Sequence, residues 1–102
     1  MVSKHYKDKR YEREILIKKY LNGDGKVIRS FIVDRMHPKG AEIHSVTDNG
    51  VIIIRNLRSG KIVTKLIARP QQIKKLYNSV NKEAPAWLLD MCYIHQCLNY
   101  NK

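Results

Sequence analysis

Apolar and polar positions change period several times along the chain, and each change marks an element. From Lys7 to Leu21 (KDKRYEREILIKKYL) helix formers run without Gly or Pro, and Tyr11, Ile15, Leu16 and Tyr20 recur at a spacing that predicts one apolar helix face. Asn22-Gly23 supplies the stop. Lys26 to Asp34 (KVIRSFIVD) is dense enough in Val, Ile and Phe to predict a strand, closed by the turn signal His37-Pro38-Lys39-Gly40. Ala41 to Thr47 predicts a second strand. Asp48-Asn49-Gly50 then predicts a tight hairpin, because Asn-Gly readily takes the positive φ angles of a two-residue turn. Its partner strand runs from Val51 to Arg55, where four aliphatics in a row without alternation predict cover on both faces and hence a central place in the sheet. Asn56 to Gly60 is another turn, and Lys61 to Ala68 (KIVTKLIA) returns as a strand. Pro70 suits the first position of a short helix, Gln71 to about Tyr77, since its missing N–H costs nothing there. After a polar connection from Ser79 to Ala84, Pro85 starts a final helix with Trp87, Leu88, Met91, Ile94 and Leu98 at helical spacing.

These elements predict an α+β architecture in a single domain, residues 1–102. A helix within 1–22 is followed by a four-stranded, mainly antiparallel sheet within 26–68 and by two C-terminal helices within 70–100. The length supports one core and no second one. The aliphatic run Val51-Ile52-Ile53-Ile54 is far too short to span a membrane, and Met1-Val2-Ser3-Lys4-His5 lacks the apolar core of a secretion signal. A soluble, cytoplasmic protein without membrane partners is expected. Cys92 and Cys97 stand five residues apart, well separated around a helix axis, which suits neither a disulfide nor a zinc site. They are expected to be core or free thiols, with no metal and no cofactor.

Charge narrows the class of partner. The formal net charge is +11, and between Val51 and Lys82 the chain has no acidic side chain but eight basic ones. Nucleic acid, anionic lipid or an acidic protein surface fit such a balance. Nucleic-acid contacts are expected at Arg55, Arg58, Lys61, Lys74 and Lys75. A second basic cluster, Lys4, Lys7, Lys9, Arg10 and Arg13, is interrupted by Asp8, Glu12 and Glu14, and is a solvated helix face unless it lies beside the first.

Two stretches, Glu42-Ile43-His44 and Thr64-Lys65-Leu66-Ile67-Ala68-Arg69-Pro70-Gln71-Gln72-Ile73, together resemble a phage-borne nuclease group of the superfamily of barnase, EndoU, the tRNA-cutting colicins and RelE. The resemblance runs from about Val27 to Asn99 and takes in Ile94-His95. It implies helices packed on a short antiparallel sheet, metal-independent RNA cleavage, and a phage or prophage origin with a toxin-like role. Members of that superfamily do not share one fixed catalytic set.

Metal-free RNA cleavage needs a group to take the proton from the 2′-OH, a group to give one to the departing 5′ oxygen, and cations for the charge on phosphorus. His44 can serve as base or acid, or is a histidine without chemistry. Arg69, just ahead of the Pro70 helix start, is placed to clamp a phosphate, with the alternative of a structural pair to Asp34 or Glu42. Thr64 and Lys65 point to opposite faces of their strand, so at most one shares a face with the site. Lys65 is the natural charge stabiliser and Thr64 a hydrogen-bond donor to a phosphate oxygen, unless either merely decorates the sheet. His95 flanks the apolar stripe of the last helix, either as a core-edge histidine or as a second proton-transfer group. His37 reads as a loop residue. Gln71 and Gln72 read a base edge or only start a helix, and the six tyrosines Tyr6, Tyr11, Tyr20, Tyr77, Tyr93 and Tyr100 stack on bases or serve the core.

Three functions compete. One is a metal-independent ribonuclease acting as a phage or toxin effector, with a possible immunity partner. The second is a non-catalytic nucleic-acid binder, whose affinity would depend strongly on salt. The third is a basic protein that blocks an acidic surface of a host protein.

Overall fold

A computed structural model describes residues 12, 14–19, 21–34 and 40–100, with Leu98, Asn99 and Tyr100 described in backbone only. The basic cluster Lys4, Lys7, Lys9, Arg10 and Arg13, the tyrosines Tyr6, Tyr11 and Tyr20, and His37 lie outside the described residues. Helix α1 is helical over 14–19 and again at Leu21. It is followed by β1 (Val27–Val33), β2 (Glu42–Thr47), β3 (Val51–Asn56), β4 (Ile62–Ile67), α2 (Pro70–Asn78) and α3 (Ala86–Tyr100). The strands form one sheet in the order β1-β2-β3-β4, every pair antiparallel. The chain is therefore α+β, with one N-terminal and two C-terminal helices, as the periodicity predicts.

Both faces of the sheet are covered. Phe31, Val46, Ile52 and Ile54 face α2 and α3, where Ile73, Leu76, Tyr77, Leu88 and Cys92 complete the larger core. On the other face Ile17 of α1 packs on Val51 and Ile53, with Leu21 and Ile67 beside them. That explains the unbroken run Val51-Ile52-Ile53-Ile54: successive side chains go to opposite layers, and each layer is apolar. All four are buried.

Two helices turn differently from their sequence expectation. On α1 the residue that enters the core is Ile17, 1% exposed, while Ile15 is 45% exposed. Ile17 and Leu21 stand one turn apart and meet the outer side of β3, which decides the rotation. On α3 the core stripe is Leu88 and Cys92 with Leu89 at its edge, whereas Trp87 and Ile94 are exposed. Apolar residues surround this helix, so spacing alone does not select the buried face.

The β2–β3 turn also differs from expectation. Gly50, at φ +75, is the left-handed residue, and Asn49 is not among the non-glycine residues with positive φ. The Gly50 N–H donates to the Thr47 carbonyl (3.1 Å), so Asp48-Asn49-Gly50 forms a three-residue loop rather than a two-residue one. Its side chains are used elsewhere. Asn49 Nδ2 donates to the carbonyls of Leu21 (2.9 Å) and Gly23 (3.1 Å), and Asp48 Oδ1 accepts from the Lys26 N–H (2.8 Å). The loop thereby fastens the end of α1 to the sheet. Gly25 beneath it, at φ +85, has room for no side chain because a Cβ would meet Asp48 and Asn49.

Candidate functional site

The alternation of a strand places Glu42 and His44, two residues apart, on one face of β2. His44 lies opposite Ile54 on one side and Phe31 on the other. It is only 7% exposed, and its Nε2 lies 3.2 Å from Glu42 Oε1, a distance that suits a hydrogen bond and an ion pair when the ring is protonated. The imidazole is thus held by a carboxylate, the arrangement that fixes a tautomer: with Nε2–H donating to Glu42, the lone pair is on Nδ1.

His44 lines a cavity of about 370 Å³ between β1, β2 and α2. Ile52, Ile54, Leu66 and Leu76 supply apolar walls, and Asp34, Gln72, Lys75 and Ser79 the remaining polar ones. The α2 contribution, Gln72, Lys75, Leu76 and Ser79, follows the i, i+3, i+4, i+7 rule for one helix face. Gln72 Oε1 accepts from the Arg69 N–H (2.9 Å), closing the start of α2, and Ser79 Oγ donates to the Leu76 carbonyl (2.6 Å) near its end. Gln72 therefore does start the helix, and it reaches the cavity as well.

The other expected site residues disperse. The cavity runs across the sheet from Asp34, next to the Val33–Glu42 pair, to the Ile52–Leu66 pair one residue from the β2–β3 turn end. Arg69 follows Ala68, whose N–H donates to the Gly50 carbonyl at the β2–β3 turn, and touches the cavity only through its backbone N–H on the Gln72 side chain. His95 is at that end too, its Nδ1 within 3.2 Å of where a Cβ on Gly50 would stand. Neither Arg69 nor His95 lines the cavity of His44, and the two-histidine arrangement is not formed. Lys65 lies on the α1 face of the sheet, opposite Ile53, with Nζ 2.9 Å from Asp24 and 3.2 Å from Glu14. Its ammonium is held charged above the usual lysine range, chiefly by the hydrogen bond to Asp24. It anchors α1 and is not available to a phosphate at His44. Thr64, opposite Ile54, is buried on the cavity side of the sheet, as the opposite-face rule requires, but does not line the cavity.

Of the expected nucleic-acid contacts, Lys75 enters the cavity, Lys74 is exposed beside it on α2, and Arg58 and Lys61 are exposed in the β3–β4 turn. Arg55 is half-buried on the α1 face, opposite Ile43. Among the tyrosines, Tyr77 is in the core, its ring 5.0 Å from that of Phe31, and Tyr93 is exposed. Glu42 as the partner of His44 escaped the sequence reading although the E-x-H spacing carries that signal. The approach of α2 to β2 has no such signal.

Neither cysteine forms a disulfide. Burial pushes the Cys92 thiol up to about 11, which removes it as a nucleophile. Burial also lowers the pKa of His95, whose Nδ1 is enclosed without a hydrogen-bond partner among the described residues. A histidine whose folded pKa is depressed supports the fold fully above its unfolded pKa of about 6.5 and loses that support as pH falls through the folded value. The melting temperature is accordingly expected to drop between pH 7 and pH 5, with a smaller drop in His95→Leu. Identical pH profiles for the two proteins would contradict a buried neutral imidazole.

Comparison of the chain with protein-family models, with curated proteins and with solved structures finds no match. Among the described residues, no helix is long and apolar enough to cross a membrane.

Proposed function

We propose that this protein is a metal-independent endoribonuclease whose reacting group is His44. The observation that carries the reading is the pairing of His44 with Glu42 where the imidazole lines a cavity that Lys75 also lines. In this reading His44 takes the proton of a ribose 2′-OH, the 2′ oxygen attacks phosphorus, and the bond from phosphorus to the 5′ oxygen breaks. The products are a 2′,3′-cyclic phosphate and a 5′-OH end, the leaving oxygen taking its proton from His44 or from water. Lys75 offsets the charge on the non-bridging oxygens, while Lys74, Arg58 and Lys61 hold flanking phosphates. Membership of the barnase, EndoU, colicin and RelE superfamily, which the Glu42–His44 and Thr64–Ile73 stretches resemble, with its phage origin and toxin role, belongs to the same proposal.

A second reading, a non-catalytic RNA binder, is favoured by the dispersal of Arg69, His95 and Lys65 away from His44. Incubation with a fluorescent single-stranded RNA in EDTA separates the two. Fragments ending in a 2′,3′-cyclic phosphate are expected. Bound but intact RNA would establish the binder, and absence of salt-sensitive RNA binding would sink both.

A further inference from the structure

The cavity beside His44 is apolar beyond what a phosphodiester can use. Ile32, Val33, Ile52, Ile54, Leu66 and Leu76 wall a volume of about 370 Å³. A sugar–phosphate backbone is polar or charged throughout, so the part of a nucleotide that such walls can take up is the flat, neutral base.

The polar groups of the cavity differ in what they offer a base. Asp34 carries a carboxylate, which only accepts hydrogen bonds when ionised. Among the described residues it has no hydrogen bond and no ion pair, not even with Lys75 of the same cavity, in a chain with 20 basic side chains against 9 acidic ones. The Ser79 hydroxyl gives its hydrogen to the Leu76 carbonyl (2.6 Å) and is left with lone pairs. Gln72 is fixed the other way: its Oε1 accepts the Arg69 N–H (2.9 Å), and its amide hydrogens remain to be given.

An unpaired carboxylate distinguishes between bases. The exocyclic amino groups of adenine, cytosine and guanine are donors, and a carboxylate accepts from them as Asp and Glu do from cytosine N4. Uracil has no amino group. The single N–H on its pairing edge is flanked on both sides by carbonyl oxygens, which a carboxylate repels. With uracil in the cavity Asp34 gives up hydration and gains no donor, the mismatch that polar sites reject most strongly.

We propose that the cavity is the subsite for the base of the nucleotide whose 2′-OH His44 deprotonates, and that Asp34 makes it favour bases with an exocyclic amino group over uracil. The reaction at that 2′-OH belongs to the ribonuclease reading, on which this assignment rests, whereas the choice of base depends on Asp34.

DNA oligonucleotides that carry one ribonucleotide, with adenine, cytosine, guanine or uracil, offer a single cleavable ribose and differ only in its base. The wild type is expected to cut at the three amino bases roughly 10- to 100-fold faster than at uracil, the discrimination that a good base contact provides. Asp34→Asn, at an exposed position and nearly isosteric, should stay folded and lose most of that gap, because its amide also donates to a carbonyl oxygen. Calorimetric titration with 3′-CMP and 3′-UMP, which have no 5′ oxygen to release, reads the subsite without the reaction: 3′-CMP should bind more tightly to the wild type and equally with 3′-UMP to Asp34→Asn. Intact oligonucleotides together with a preference for 3′-CMP would sink the ribonuclease reading and support the subsite. Cleavage that ignores the base or prefers uracil overturns the subsite while the ribonuclease reading stands. Equal binding or no binding of the two nucleotides to the wild type overturns it as well, as does a preference that Asp34→Asn leaves unchanged.

Discussion

RNA cleavage by His44→Ala is expected to be about 10²- to 10⁴-fold slower than by the wild type, the usual contribution of a general acid or base. Affinity for the same RNA should hardly change. The imidazole is 7% exposed and lies within the sheet, whereas Lys74, Arg58 and Lys61 are exposed on α2 and the β3–β4 turn. In the proposed reaction, proton transfer and the holding of flanking phosphates thus rest on different side chains. His44 is also a buried partner of Glu42, so its removal costs roughly 0.5 to 1.5 kcal/mol of stability through the loss of that one hydrogen bond. His44→Asn, which keeps a polar side chain on β2, therefore accompanies it, and both are compared at a temperature where each is folded. Lys65→Met serves as the contrast: its pairs with Asp24 and Glu14 lie on the other face of the sheet, so cleavage should stay at the wild-type rate while stability falls by at most about 1 kcal/mol. Equal cleavage by wild type and both His44 variants would reduce His44 to a packing residue and move the chemistry elsewhere.

Leu88→Ala is expected to produce the largest loss of stability among single changes in the helices, about 2 to 5 kcal/mol. Leu88 is fully buried where α3 meets the sheet, in the cluster that includes Ile52, Ile73 and Cys92. Truncation removes the transfer free energy of the lost carbons and leaves a void between a strand and two helices that cannot easily collapse. A domain of this size is usually stable by only about 5 to 15 kcal/mol, so the melting temperature should fall by roughly 10 to 25 °C. Ile94→Ala, six residues further along the same helix but 60% exposed, should stay within about 0.5 kcal/mol. Comparable melting temperatures for the two variants would mean that α3 docks through its other side.

Much of the fold can be read in the sequence because local signals agree with it. The glycines, the prolines and the unbroken aliphatic run locate every strand and both C-terminal helices to within a residue or two, since turn chemistry and strand composition act over short distances. Helix rotation is less legible. Ile17 rather than Ile15 enters the core on α1, and Leu88 rather than Trp87 on α3, because both helices offer apolar side chains on more than one side. The β2–β3 turn shows the same limit: Asn49 gives its side chain to the end of α1, a contact 28 residues away, rather than its backbone to a two-residue hairpin.

The candidate site divides along the same line. Strand alternation alone sets Glu42 beside His44 and sends Thr64 and Lys65 to opposite faces, so those relations belong to the sequence. Packing decides the rest. The packing of α2 on the sheet brings Lys75 and Gln72 to the cavity that His44 lines, while the side chain of Arg69, one turn earlier, does not line it. Likewise Glu14 of α1 and Asp24 of the connection to β1 supply the carboxylates that hold Lys65 on the other side. The elements, their order and the basic character of Val51 to Lys82 are set locally, because composition and turn chemistry act over a few residues. Which cation lines the cavity of the imidazole, and which side of each helix is buried, followed from the packing, because both depend on how layers of secondary structure are rotated against one another to fill a common core.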